Sequence, residues 1–274
     1  MQRRHSVRHL AWRGGVAAVS NALMLSGLYP VVPHTWRALK RHDHGERPVR
    51  AALAEWGLAA LLSVARPVGF LPLPGARSRG PRPIIVVHGY AQNRANFLPL
   101  ACRLACAGLG PVFGFEYWTL GRTAAAARQL GWFVDEVRAA TGAAEVDIVG
   151  HSMGGVVGRY YIAFAGGDGV VKHLITLGSP HSGTELSAFG VGHVTRELVL
   201  GSTLITRLAA AGPPQRTQVT AVWSRGDALV PSARQLAFPG AEVVVLPDLG
   251  HVGLLGSRRV ARLVIERLSA VATA

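Results

Sequence analysis

Val146-Asp147-Ile148-Val149-Gly150-His151-Ser152-Met153-Gly154-Gly155 is the stretch that decides how this chain is read. Val146–Val149 has the character of a buried strand, and Met153 to Ala165 that of a helix. Between them lies Gly150-His151-Ser152-Met153-Gly154. A strand that turns straight into a helix holds the intervening serine in a strained backbone conformation, with its oxygen clear of the sheet. Side chains two places before and after that serine would clash, which accounts for Gly150 and Gly154. Gly-x-Ser-x-Gly alone is a weak signal in a chain with 33 glycines. The strand before it and the helix after it make Ser152 a candidate nucleophile.

Outward from this elbow, apolar runs and helical stretches alternate. Strands are expected at Ile84–Val87, Pro111–Phe115, Val146–Val149, His173–Leu177, Val219–Trp223 and Val243–Leu246. Helices are expected over Asn93 to Ala107, Thr123 to Ala140, Met153 to Ala165 and Ser257 to Val271, with Gly108, Gly142 and Gly166-Gly167 as stops. Buried strands separated by helices imply an α/β class, with a mostly parallel sheet covered on both faces.

A serine hydroxyl attacks only when a base removes its proton. Partners of an elbow serine follow it in the order acid, then histidine. Asp227 stands just past Val219–Trp223, and His251 just past Val243–Leu246, both at carboxyl ends of strands where parallel sheets place their sites. Glu116 also follows a strand end and is the serious substitute for Asp227. Asp248 is local to the His251 loop, and Asp147 begins its strand on the wrong edge. His151 is fixed inside the elbow and reads as structural, while His88, His181 and His193 read as loop-shaping. An oxyanion would need two backbone N–H groups: Met153, after the nucleophile, and Tyr90, in the loop after the first strand.

Val86-Val87-His88-Gly89-Tyr90, Gly150-His151-Ser152-Met153-Gly154-Gly155, Leu177-Gly178-Ser179-Pro180-His181-Ser182-Gly183-Thr184, Gly226-Asp227 and Gly250-His251 together resemble the bacterial lipase/esterase branch of the α/β-hydrolase superfamily. The resemblance covers residues 83 to about 270. It implies the α/β-hydrolase fold, a triad of Ser152, Asp227 and His251, and oxyanion donors at Tyr90 and Met153. Secreted members of that branch often carry a structural calcium and a disulfide. Here no acidic residue follows His251 until Glu266, and Cys102 and Cys106 are misplaced for a bridge, so neither metal nor cofactor is expected. The cysteines, four apart on a helix, read as small apolar residues on its buried face. Residues 181–214, too long for a plain turn, take the position of a cap: either a movable apolar lid or a fixed helical insertion.

The N-terminal 80 residues fall outside the resemblance, and residues 1–66 read as an apolar, helical, membrane-associated segment. Gly14 to Val32 carries no charge and follows Arg3, Arg4, Arg8 and Arg13, an arrangement that suits an uncleaved anchor with its arginines on the cytoplasmic side. A signal peptide and a helix packed on protein are the alternatives. A second apolar helix over Ala51 to Ala65 is interrupted by Glu55, and residues 67–82 read as a Pro/Arg/Gly linker into a catalytic domain over 83–274. The net charge of +14 rests on arginines dispersed along the chain, without a recognition motif, so nucleic acid is not an expected partner. The expectation is a carboxylic ester hydrolase acting through an acyl-enzyme on an apolar or lipid-like ester, associated with a membrane surface. An acyltransferase or thioesterase using the same residues, or an inert membrane-bound binding protein, are the alternatives.

Overall fold

The apolar runs assemble into one sheet in the computed structural model, which describes residues 48–78, 80, 82–185, 187, 192–230, 232, 234 and 238–269. In chain order the elements are α1 (Pro48–Val64), β1 (Ile84–Val87), α2 (Leu98–Cys106), β2 (Val112–Phe115), α3 (Thr123–Thr141), β3 (Val146–His151), α4 (Met153–Phe164), β4 (Val171–Leu177), α5 (His193–Glu197), α6 (Thr203–Ala210), β5 (Gln218–Ser224), β6 (Glu242–Leu246), α7 (Gly253–Gly256) and α8 (Arg258–Ser269). The strands lie in the order β2-β1-β3-β4-β5-β6, and every neighbouring pair is parallel.

Successive strand residues point to opposite faces, and the core divides accordingly. Ile85, Val87, Ile148 and Leu174 pack with Leu130 and Val134 of α3 and Val156 of α4. Ile84, Val86, Val149 and Ile175 pack on the other side with Leu100 and Leu104 of α2 and Val260 and Val264 of α8. Helices on both faces explain the unbroken apolar run of β1, whereas the outer strand β6, expected as a buried run, leaves Val243 and Val245 exposed.

Two cysteine expectations meet different outcomes. Both thiols are free, but both are exposed rather than buried. The apolar stripe of α2 is Leu100, Ala101 and Leu104, so Cys102 and Cys106 share the opposite, solvent-facing side.

The N-terminal arm is packed on the sheet domain. Glu55, Ala59 and Leu62, spaced i, i+4, i+7, form the buried face of α1, while Leu53, Leu61 and Val64 are exposed. The stretch read as a linker contributes Leu73 to the core, and the carbonyl of Gly75 accepts from the Val112 N–H at 3.0 Å. Contacts therefore join residues 48–78 to the domain that follows. Among the described residues no helix is long and apolar enough to cross a membrane. The Gly14 to Val32 stretch lies outside the described residues, as do Leu186, Phe189 and Val191 of the cap.

Candidate active site

The chain leaves β1 toward one edge of the sheet and returns to build β3 on its other side, so strand order reverses between β1 and β3. Such a reversal opens a crevice at the carboxyl ends of the two strands. Gly89 and Tyr90 follow β1 there, and Ser152 follows β3.

Ser152 is the single residue between β3 and α4, with φ 54° and ψ −126°. For a residue other than glycine this conformation costs about 1–3 kcal/mol and persists only where surroundings enforce it. The glycines around it permit the approach. A Cβ on Gly150 would stand 2.6 Å from Cα of Gly155, and one on Gly154 would strike the carbonyl oxygen of Val87.

Asp227 follows β5 and is fully buried. Its Oδ2 lies 2.8 Å from Nδ1 of His251, which follows β6. Its Oδ1 accepts from the N–H groups of Leu229 and Val230 at 2.9 and 3.0 Å. Burial works against a charged His251, but the charge and hydrogen bond of Asp227, helped by Glu55, outweigh it and hold the imidazole pKa above its ordinary value. Gly178, at φ 59°, lets β4 run close beneath the pair: a Cβ there would stand 2.8 Å from Oδ2 of Asp227.

The rival acids are engaged elsewhere. Glu116 accepts from the Arg94 N–H at 2.6 Å and places Oε2 3.5 Å from Nε2 of His88. Asp248 pairs with Arg259 at the surface, and Asp147 pairs with Arg82 and His173 at the start of β3. His151 is buried, with Nδ1 2.9 Å from Oε1 of Gln92 and Nε2 3.0 Å from the carbonyl oxygen of His251. Burial, and then the charge of His251, push its pKa well down, which leaves the ring neutral and in a bracing role. His181 is likewise buried, its ring against Thr176 and its carbonyl accepting from Arg159. His193 is exposed at the head of α5.

The loop after β1 lies against the serine, since a Cβ on Gly89 would stand 2.9 Å from Cβ of Ser152. The Gly89 N–H donates to Oε1 of Gln92 at 2.9 Å, so that amide is already used, and Tyr90 is the next residue along. Met153 heads α4, where N–H groups have no partner within the helix. The rest of this loop is tied down: Tyr117 donates to the His88 carbonyl at 2.7 Å, and the buried Arg66 donates from Nη2 to the carbonyl of Ala91, itself at φ 53°. Burial lowers the Arg66 pKa to about 10, which leaves it a cation at neutral pH.

Three contributors escaped the sequence reading: Glu55, Arg66 and Gln92. Glu55 carried a signal, as the lone acid of an apolar helix. Gln92 carried none beyond its closeness to Tyr90. Among the described residues no group of three or more His, Cys, Asp or Glu side chains is arranged to hold a metal ion.

Comparison with known proteins bears on this arrangement. A family model described as Lipase (class 2) matches residues 81–249. The chain belongs to the class 2 lipase family. The matched span includes Ser152 and Asp227 and stops two residues short of His251. A triacylglycerol lipase of Pseudarthrobacter phenanthrenivorans is 44% identical over 61 residues, which is 22% of this chain and 18% of that protein. One from Burkholderia plantarii is 44% identical over 61 residues, 22% of this chain and 16% of that protein. The chain thus spans under a fifth of the length of these relatives. Among solved structures, the mature form of a Bacillus licheniformis lipase superposes with TM-score 0.60 at 16% identity, covering 68% of this chain and 91% of that one. Aspergillus fumigatus lipase B gives TM-score 0.60 at 16% identity over 69% of this chain and 52% of that one. At such identity the likeness concerns the fold, which is that of the α/β-hydrolases.

Proposed function

We propose that this class 2 lipase hydrolyses carboxylic esters with apolar acyl groups, with Ser152 as nucleophile, His251 as base and Asp227 orienting it. The observation that carries this reading is the 2.8 Å contact between Asp227 and His251 at two strand ends, on the same edge of the sheet as the strained Ser152. With Nδ1 of His251 engaged by Asp227, Nε2 is the nitrogen that takes the Ser152 proton as Oγ attacks the ester carbonyl. The backbone N–H groups of Met153 and Tyr90 receive the oxyanion. Collapse of the tetrahedral intermediate breaks the bond to the alcohol, which leaves with the proton from His251. Water, deprotonated by the same histidine, then attacks the acyl-enzyme and releases the acid.

An apolar or lipid-like acyl group is supported by family membership, by relatives named triacylglycerol lipases, and by a cap whose Val194, Leu198, Ile205 and Leu208 join the core on the α3 side of the sheet. Residues 1–47 attach the enzyme to a membrane surface in this reading, on the strength of the arginine-flanked Gly14 to Val32 stretch.

The test is hydrolysis of p-nitrophenyl esters of increasing acyl length by wild type and Ser152→Ala, with fluorophosphonate labelling of both. Turnover and labelling in wild type, absent from Ser152→Ala and best at longer chains, is the expected result. Absence of both from wild type would sink the reading. Product formation only with an added alcohol or thiol acceptor would make the protein an acyltransferase.

A further inference from the structure

His251 sits in a loop, and loops hold a side chain only as firmly as their own backbone is held. The loop after β6 has an unusual support. Glu55, from the middle of α1, is 6% exposed and turns its carboxylate onto this loop. Oε1 accepts from the Val252 N–H at 2.5 Å, and Oε2 from the Gly253 N–H at 2.7 Å. These are the two residues directly after His251. Each carboxylate oxygen takes one amide at the mouth of α7, where the backbone N–H groups have no helical acceptor. Gly250, on the other side of His251, approaches so closely that a Cβ there would collide with the Glu55 carboxyl carbon. Both flanks of the base therefore press on one side chain.

We propose that Glu55 is a positioning residue for the base: by clamping the backbone on either side of His251, it fixes the imidazole between Asp227 and Ser152. This rests on the triad reading above. The clamp also gives the buried carboxylate its only hydrogen bonds among the described residues, and an unpaired buried carboxylate would be strongly disfavoured. Burial raises the Glu55 pKa, with the two amides and His251 opposing that rise. Two N–H donors aimed at the two oxygens favour the ionised carboxylate. The titratable groups around His251 are then Asp227, Glu55 and the neutral His151, whose ring centre is 4.7 Å away, with His88 beyond it. Glu55 adds a second negative charge that favours the imidazolium.

The test compares wild type, Glu55→Gln and Glu55→Asp in the full chain, by kcat and KM on a short soluble p-nitrophenyl ester across pH, with circular dichroism and thermal unfolding. Glutamine presents an NH2 to one of the two amides and removes the charge. A loss of about 10- to 100-fold in kcat is expected for Glu55→Gln with KM little changed, because small misplacements of a catalytic group have effects of that order. Its acid limb moves to lower pH. Glu55→Asp loses kcat but keeps the wild-type limb, since the charge remains. Wild-type kcat and limb in a folded Glu55→Gln would overturn the proposal, as would lower thermal stability with both unchanged. If Glu55→Gln does not fold, Glu55→Asp decides: a reduced kcat at the wild-type limb supports positioning and a wild-type kcat refutes it. Loss of fold in both variants would make Glu55 purely structural and refutes it too. Ser152→Ala in parallel separates the two readings, because activity surviving that change removes the triad whatever Glu55 does.

Discussion

Asp227 and His251 approach from the ends of neighbouring strands, β5 and β6, and meet 2.8 Å apart between Oδ2 and Nδ1. The other oxygen of Asp227 is held by two backbone N–H groups, so the carboxylate cannot swing away from the ring. Substitution of Asp227 by Asn keeps the shape but inverts what the ring nitrogen meets. We expect kcat for a short ester to fall roughly 10⁴-fold, the scale seen when a triad acid loses its charge. Glu116→Gln, engaged with Arg94 and His88, is expected to retain far more activity. Steady-state kinetics of both variants decides which acid orients the base.

The sign of the pH dependence follows from the same pair. In the proposed reaction His251 acts as a base, so it must be neutral to take the proton. Its pKa is raised in the folded protein. Activity therefore rises with pH through a point above about 6.5, the ordinary imidazole value. The charged ring's contribution to stability runs the other way: it is fully present below about 6.5 and is lost as pH climbs through the raised value. A plot of kcat/KM against pH, beside unfolding midpoints at the same pH values, checks both halves. Half-maximal activity below 6.5 would contradict the first.

Gln92 binds the Gly89 N–H and stands against His151, so it joins the loop after β1 to the elbow after β3. Gln92→Leu leaves a buried amide without an acceptor and frees the loop that carries Tyr90. A kcat loss on the order of tenfold is expected, smaller than the roughly 10²–10³ that follows outright removal of an oxyanion donor. Unchanged kinetics in a folded Gln92→Leu would show that Gly89 and Tyr90 hold their places unaided.

Truncation separates the arm into two parts. Removal of residues 1–47 is expected to release the enzyme from membranes while a short soluble ester is still turned over. Removal of residues 1–80 takes Glu55 and Arg66 as well, and is expected to abolish that turnover. Sedimentation with membranes and ester hydrolysis of the two truncated chains report the two properties separately. Full activity after loss of residues 1–80 would show that neither contact supports the site.

The strands and the elbow were legible because each follows from local pattern: Ile84–Val87 is an unbroken β-branched run, and Gly150 and Gly154 bracket Ser152. Asp227 and His251 were legible because strand ends mark where a parallel sheet places its chemistry. The orientation of Cys102 and Cys106 was not, since four-residue spacing shows that two side chains share a face but not which face the sheet covers. Glu55 looked like an interruption in an apolar helix because its partners, Val252 and Gly253, stand 197 and 198 residues away. No local pattern carries such a distance. Arg66 is similar: no local pattern marks it among the dispersed arginines, yet it is among the most buried side chains described.

That separation also sets an order of assembly. Synthesis produces Glu55 long before Val252, so the carboxylate emerges with water as its partner and must wait until all six described strands have been made. The clasp on the His251 loop therefore closes only after every strand of the sheet has been made, as one of the later contacts of the fold.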